Sequence, residues 1–288
     1  MKNKQSLFTG LNYILFILLG IITLYPFWDV LIGSLMPYSD YVKSSVRIWP
    51  VHFTLEAYKG FFLDNNFLDP LRNTLFCTII GTALSIVVTT MAAYSLSRRS
   101  LRGRTVIMYG IVFTMLFSGG MIPLYATLRM LKLIDSLWGL ILLGSCNTFY
   151  LLVMKSYFTS IPTSVEESAK IDGAGYFQIL VRIIAPMSMP IIATMILFYA
   201  VDKWNELYGA LIFIHSDSKK LLQVMLYDMI YTSKDVTTIS FTYSSKANIT
   251  PQTQRMAAVI VTTLPILVVY PFLQKYFVKG VMIGSIKE

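Results

Sequence analysis

Six apolar stretches divide this 288-residue sequence: roughly Leu11 to Ile32, Leu71 to Leu96, Thr105 to Phe117, Leu137 to Met154, Ile191 to Ile214 and Met256 to Phe277. The hydrocarbon core of a bilayer is about 30 Å thick, so a helix needs about 20 mostly apolar residues to cross it. The segments between the stretches are too short for a sizeable soluble domain. Composition agrees, with 55% hydrophobic and 14% charged residues, against about 25% charged in soluble globular chains. The expected fold is an all-α membrane protein, a single domain over 1–288 with six transmembrane helices near 11–32, 71–96, 105–130, 137–156, 188–214 and 254–277. The third stretch is short and runs into Ser118-Gly119-Gly120-Met121-Ile122-Pro123, which predicts a break before the helix resumes through Leu124 to Leu131. The first follows Lys2 and Lys4, outruns a signal-peptide core and has no small-residue cleavage site after it, so a retained anchor is expected.

Orientation follows from basic residues in short loops, which stay on the cytoplasmic side. Arg98, Arg99, Arg102 and Arg104 crowd the shortest loop, so that loop is expected to be cytoplasmic. Six spans then put both termini there, in line with Lys2, Lys4, Lys275, Lys279 and Lys287, together with the loop from Lys155 to Met187. Tyr38 to Pro70 and His215 to Gln254 fall outside. Within the latter, Leu221 to Thr232 carries apolar residues at helical spacing and predicts a short surface helix, lying on the membrane or facing a partner. The net charge of +9 fits basic anchors at helix ends and not nucleic acid, because no basic patch interleaved with aromatics lies on a soluble face.

Catalytic and metal chemistry find no support. Cys77 and Cys146 lie in apolar runs without CxxC spacing, and His52 and His215 are far apart. No His, Cys or carboxylate cluster has the spacing of a zinc or nucleophile site. No GxxxxGK[ST] run is present, so any nucleotide energy source has to be another chain. The chain is expected not to be an enzyme and to carry no cofactor of its own.

Between the fourth and fifth stretches the sequence reads Ile161-Pro162-Thr163-Ser164-Val165-Glu166-Glu167-Ser168-Ala169-Lys170-Ile171-Asp172-Gly173-Ala174-Gly175. Thr163 with Glu166, and Ser164 with Glu167, have the spacing of a capping box at a helix start. Gly173 and Gly175 are suited to the left-handed conformation that ends one. A second helix over Tyr176 to Ile184 is expected to stop before Pro186. The product is a bent knob with Ser168, Ala169 and Gly173 on its surface and Glu167 and Asp172 at its rim. Such a knob suits a protein socket, and it is equally compatible with an idle loop on the headgroups.

The same residues resemble the coupling-loop signature of importer permeases driven by ATP-binding-cassette subunits. Glu167-Ser168-Ala169 stands where Glu-Ala-Ala is usual, followed by Asp172-Gly173-Ala174 and by Ile183-Ile184-Ala185-Pro186. The one departure is Ser168, close to Ala in size. Ala93-Tyr94-Ser95-Leu96-Ser97-Arg98 with Gly103-Arg104, Trp204-Asn205-Glu206, and the tail from Gln274 to Lys287 are similar to carbohydrate-importer permeases of the maltose-permease type. Phe117 to Pro123 resembles the oligosaccharide branch. The resemblance implies a cytoplasmic coupling helix within 162–186, where Glu167, Ser168, Ala169, Asp172, Gly173, Ala174 and Pro186 meet an ATPase. It also implies a second homologous permease chain in a heterodimer, two ATPase subunits holding ATP and Mg, an extracytoplasmic sugar-binding protein near Leu221 to Thr232, and a tail near Gly284 approaching the ATPase pair.

Polar residues inside a membrane face the protein interior or water, which makes Asn73, Asn147, Asp202, Lys203, Asn205 and Glu206 candidates for a substrate pathway, with Trp204, Tyr199 and Tyr208 as stacking surfaces. Lys203 is placed to neutralise Asp202 or Glu206 on the same helix. The same cluster also reads as a helix-to-helix clamp. The rival classes are an ion-coupled secondary transporter, an importer of a non-sugar solute and a membrane-embedded enzyme.

Overall fold

The computed structural model describes residues 2–44, 46–63, 67–231 and 250–285. Thr232 and Lys287 lie outside them, as does the 232–249 part of the expected outer segment. All regular structure among the described residues is helical. Two compact units are formed, Met1–Leu68 with Met225–Pro265, and Asp69–Val224 with Ile266–Glu288.

In the first unit, α1 (Lys2–Ser34) is followed by α2 (Tyr38–Lys43) and α3 (Glu56–Leu63). Thr9–Ser34 is long and apolar enough to span a bilayer, and none of its most apolar window is buried within the chain. Outward-facing Ile14, Phe16, Ile21 and Leu24 are each more than half exposed, which suits a lipid-facing surface. Past this helix the backbone is irregular and side chains fix it. Arg47 pairs with Asp29 at 2.9 Å and lies 3.7 Å over the Tyr41 ring, while Tyr41 donates to Asp29.

The second unit is built on α4 (Leu68–Ser97), which satisfies the length and apolarity of a span. The expected third span appears as α5 (Arg104–Leu116) and α6 (Met121–Met130), bent by 114°. The break falls where the glycines predicted it, although the helix resumes at Met121, ahead of Pro123. α6 ends in a Schellman turn, with Leu133 N bonding Leu128 O at 2.8 Å and Lys132 N bonding Arg129 O at 3.0 Å. Lys132 takes the left-handed place at φ 57° that glycine usually fills.

The fourth stretch departs from a continuous span: α7 (Leu137–Leu142) and α8 (Thr148–Ser160) are separated by irregular backbone. Gly139 packs so tightly that an added Cβ would meet the Leu133 carbonyl oxygen. Next comes α9 (Thr163–Ile171), then one continuous path of α10 (Tyr176–Ile179), a π turn over Leu180–Ile184 and α11 (Ala185–Met187). The helix therefore does not stop before Pro186. It passes through that residue, because the π turn opens the ladder, and turns by 86° into α12 (Met189–Trp204). α13 (Tyr208–Phe213), α14 (Leu222–Tyr231) and α15 (Pro251–Ser285) complete the order. Two helices qualify singly as spans among the described residues, and four segments do if each bent pair counts once.

Gly139→Ala has to displace backbone, not a flexible side-chain end, and is expected to cost about 1–3 kcal/mol. Thermal unfolding in detergent should show a clear drop for this variant beside Gly110→Ala, whose added methyl meets nothing within 4 Å.

Candidate functional site

Two clusters in the second unit carry the polar chemistry. One surrounds α9. Its start is not the expected capping box: Pro162 occupies the cap position and no side chain bonds the free amides. Ser168 instead donates back to Ser164 O at 2.9 Å. Glu166 is turned away from the cap and buried at 5% exposure. Its Oε1 accepts from the Tyr94 hydroxyl at 2.7 Å and lies 2.7 Å from Nη2 of Arg98. The Arg98 contact is a close charge pair without hydrogen-bond alignment, and Arg98 Nε has no hydrogen-bond partner among described protein atoms. The guanidinium lies 4.5 Å over the Tyr94 ring.

The end of α9 is the Schellman stop that the glycine predicted. Gly173 N bonds Lys170 O at 3.0 Å, Ala174 N bonds Ala169 O at 2.9 Å, and Gly173 sits at φ 81°. Gly175 has φ −75° and needs no glycine for its conformation. Across the turn, the Lys170 ammonium lies 4.9 Å from the centre of the Tyr176 ring. Ala169, expected on the outer surface, is buried in the cluster with Ala93, Tyr94 and Phe158. Helical spacing explains this, since Glu166 and Ala169 are three apart and share the inward face. Glu167, Ser168, Asp172, Gly173 and Pro186 are exposed and Ala174 is half-buried. Ile171, at 86% exposure, is an apolar side chain at the tip of an otherwise polar helix.

The second cluster lies at the breaks of the membrane helices. Lys203 makes no ion pair with Asp202 or Glu206. Its ammonium donates to Leu140 O, Ile141 O and Leu143 O at 2.8, 3.2 and 2.6 Å. These carbonyls belong to the open end of α7, which a cation suits. Its stem passes α4 at Gly81, where an added Cβ would be 3.2 Å from Lys203 Cδ. The carboxylates are occupied elsewhere: Asp202 accepts from the Tyr150 hydroxyl at 2.8 Å and Glu206 from the Gly209 amide at 2.9 Å.

Two further pathway candidates serve backbone. Asn147 caps α8 by accepting from the amides of Phe149 and Tyr150, and its own amide donates to Tyr199, whose hydroxyl bonds Thr89 at 2.7 Å. Asn73 donates to Ser218 O and Lys220 O at 2.9 and 3.1 Å. Asn205 accepts from Gln223 at 3.3 Å, and Trp204 is buried. Asn73 and Glu206 are thus fixed in separate structural roles.

Asp135, unmarked in the sequence, is a third anchor. It has φ 53° and accepts from the Ser216 hydroxyl at 2.6 Å, the Ser216 and His215 amides at 2.9 and 3.0 Å, and Lys219 at 3.0 Å. The Ser216 hydroxyl and these amides, with Lys219, hold its carboxyl well below the usual carboxylate range. A pattern of one Asp in a loop carries no signal for partners 80 residues away.

The second unit is thus a helical domain with apolar helices of membrane-spanning length, bearing a helix-turn-helix pinned to the end of α4. Residues 60–283 match the family described as binding-protein-dependent transport system inner membrane component, and the chain belongs to that family. A polygalacturonan/rhamnogalacturonan transport system permease protein of Bacillus subtilis (strain 168) is 40% identical over 99% of this chain and 99% of its own. Protein LplC of the same organism is 41% identical over 93% of this chain and 90% of its own. A chain in the crystal structure of a bacterial ABC transporter involved in import of the acidic polysaccharide alginate superposes with TM-score 0.89 at 31% identity, over 95% of this chain and 98% of that one. The protein is a membrane permease subunit of an ABC importer and not an enzyme.

Lys203→Met removes the donor from three carbonyls away from water. Loss of a partner in such a network costs about 1–3 kcal/mol per unsatisfied group, so reduced thermal stability in detergent is expected, with Lys203→Arg less affected. For Asp135, whose folded carboxyl titrates lower than the unfolded one, stability is fully present above the ordinary carboxylate range and is lost as pH falls from there through the lower folded value. Asp135→Asn should lower the unfolding temperature at pH 7, and the gap to the parent should shrink below about pH 4.

Proposed function

We propose that this chain is one of two permease subunits of an importer for a sugar or oligosaccharide, driven by ATP binding and hydrolysis on two partner subunits. In this reading six segments cross the cytoplasmic membrane, both termini face the cytoplasm, and the α9 loop is the coupling helix. ATP and Mg belong to the partner ATPase. An extracytoplasmic binding protein delivers the substrate, and the second permease chain completes the pathway. The observation that carries the reading is the two-sided build of α9. Its inner face, Glu166 and Ala169, is locked onto membrane helices, while its outer face offers Glu167, Asp172 and the uncovered Ile171. An exposed apolar side chain ringed by polar ones suits a docking socket.

The substrate class is supported by two of the named relatives, a polygalacturonan/rhamnogalacturonan permease and the alginate importer. Fragments of such acidic polysaccharides are the first to test. Of the pathway set from the sequence, Asn73, Asn147, Trp204, Asn205 and Glu206, our reading favours Asn205 and Trp204, since backbone duties hold the other three.

Gly173→Val forces a β-branched residue into a left-handed position with open space around it, a strain of about 1–2 kcal/mol. That variant and Glu167→Ala should each cut uptake of labelled oligosaccharide by the whole importer in proteoliposomes about tenfold or more, with the chain still present in the membrane. Normal uptake in both would end the coupling reading. Asn205→Ala should change the ranking of saccharides in a competition panel.

A further inference from the structure

We infer that Glu166, Arg98 and Tyr94 form the joint through which movement of α9 reaches α4, with Glu166 as a positioning residue of the transport cycle. This rests on α9 being the coupling helix. α9 is joined through the chain to α8 on one side and, through the 176–187 path, to α12 on the other. α4 has no such link: Tyr94 and Glu166 are 72 residues apart. A displacement of α9 therefore reaches α4 only across noncovalent contacts.

The contact present is suited to carry it. Glu166 is the inward carboxylate of a loop whose Glu167 and Asp172 face outward. One oxygen, Oε1, takes both the Tyr94 hydroxyl and the Arg98 guanidinium at 2.7 Å. Tyr94, in the last turn of α4, and Arg98, the first residue past its end, touch each other through the ring face. The receiving end is also stiffened, because Arg104 Nε donates to Leu96 O and Ser97 Oγ to Tyr94 O, both at 2.7 Å. Ala169 packs one turn further along the same face. An apolar contact alone slides at little cost, whereas a buried charge pair with a shared hydrogen bond has one favoured geometry and resists separation. α9 and the end of α4 are thereby made to move together.

The test uses the complete importer in proteoliposomes, recording saccharide imported and ATP hydrolysed. Glu166→Gln keeps the shape and the Tyr94 bond but removes the charge attraction, and Tyr94→Phe removes the bond but keeps the ring. Both should lower import more than hydrolysis. ATP consumed per sugar should rise about tenfold for Glu166→Gln and less for Tyr94→Phe. The exchange Glu166→Arg with Arg98→Glu should recover part of the ratio that either single change loses. A parental ratio in Glu166→Gln, with Glu167→Ala and Gly173→Val impaired, would overturn the joint and leave the coupling helix standing. Normal import in all of them would overturn both. Loss of the chain from the membrane in both Glu166→Gln and Tyr94→Phe would assign the cluster to folding and overturn the joint as well.

Discussion

The Lys203 ammonium, donating to three carbonyls at the open end of α7, is the interaction on which the middle of the second unit depends. In hydrocarbon no water serves a free carbonyl, and each orphan costs several kcal/mol. A membrane helix is broken safely only where side chains replace the lost ladder. Two breaks in this unit have such a substitute. Lys203 closes the end of α7, Asn147 opens α8, and Glu206 serves the first turn of α13. Beyond α13, Asp135 takes the amides of His215 and Ser216, while Asn73 and Thr74 hold the chain from Ser218 to Leu222. The polar residues of the spans are therefore explained first by backbone need.

That requirement also marks the limit of what was legible in the sequence. The apolar runs, the glycine break after α5 and the Gly173 stop were readable because each is local: hydrophobic length, missing Cβ atoms, a left-handed residue. The direction of Lys203 was not. Asp202 and Glu206 are its neighbours in the chain, yet its partners lie 60 to 63 residues away, and only the fold brings a broken helix end beside it. Glu166 misled for the same reason. Its spacing from Thr163 suited a cap, but a cap at the surface saves one exposed amide, while the Arg just past α4 offers a buried carboxylate a full charge. Pro186 shows the converse. It ordinarily ends a helix, and the π turn ahead of it lets the chain keep turning.

The α9 loop gains its meaning from having two faces with different chemistry. Its outer residues contribute little to the fold, since Glu167 and Asp172 are exposed and surface charges stabilise weakly. Residues that the fold does not need, displayed on a rigid turn, are free to serve a partner. The inner residues do the opposite, tying a nine-residue helix, too short to be stable alone, to the spans. The Schellman turn at Gly173 joins the two roles by fixing the angle at which the chain leaves α9.

Along α4 these contacts form a series. Asn73 and Thr74 hold the 218–222 segment at one end, the Lys203 stem lies against Gly81, Thr89 bonds Tyr199, and Tyr94 with Arg98 holds Glu166 at the other. α5, by contrast, buries no residue. Apolar packing tolerates small slips, but a polar contact in a dry interior is lost when its partners part by an ångström or two. Several such contacts in one line make a gradual slide of α4 against its neighbours unfavourable throughout. Any rearrangement that shifts α4 against these neighbours then has to break the contacts together, as a switch and not as a slide. A transporter that must never be open to both sides needs that kind of all-or-none movement.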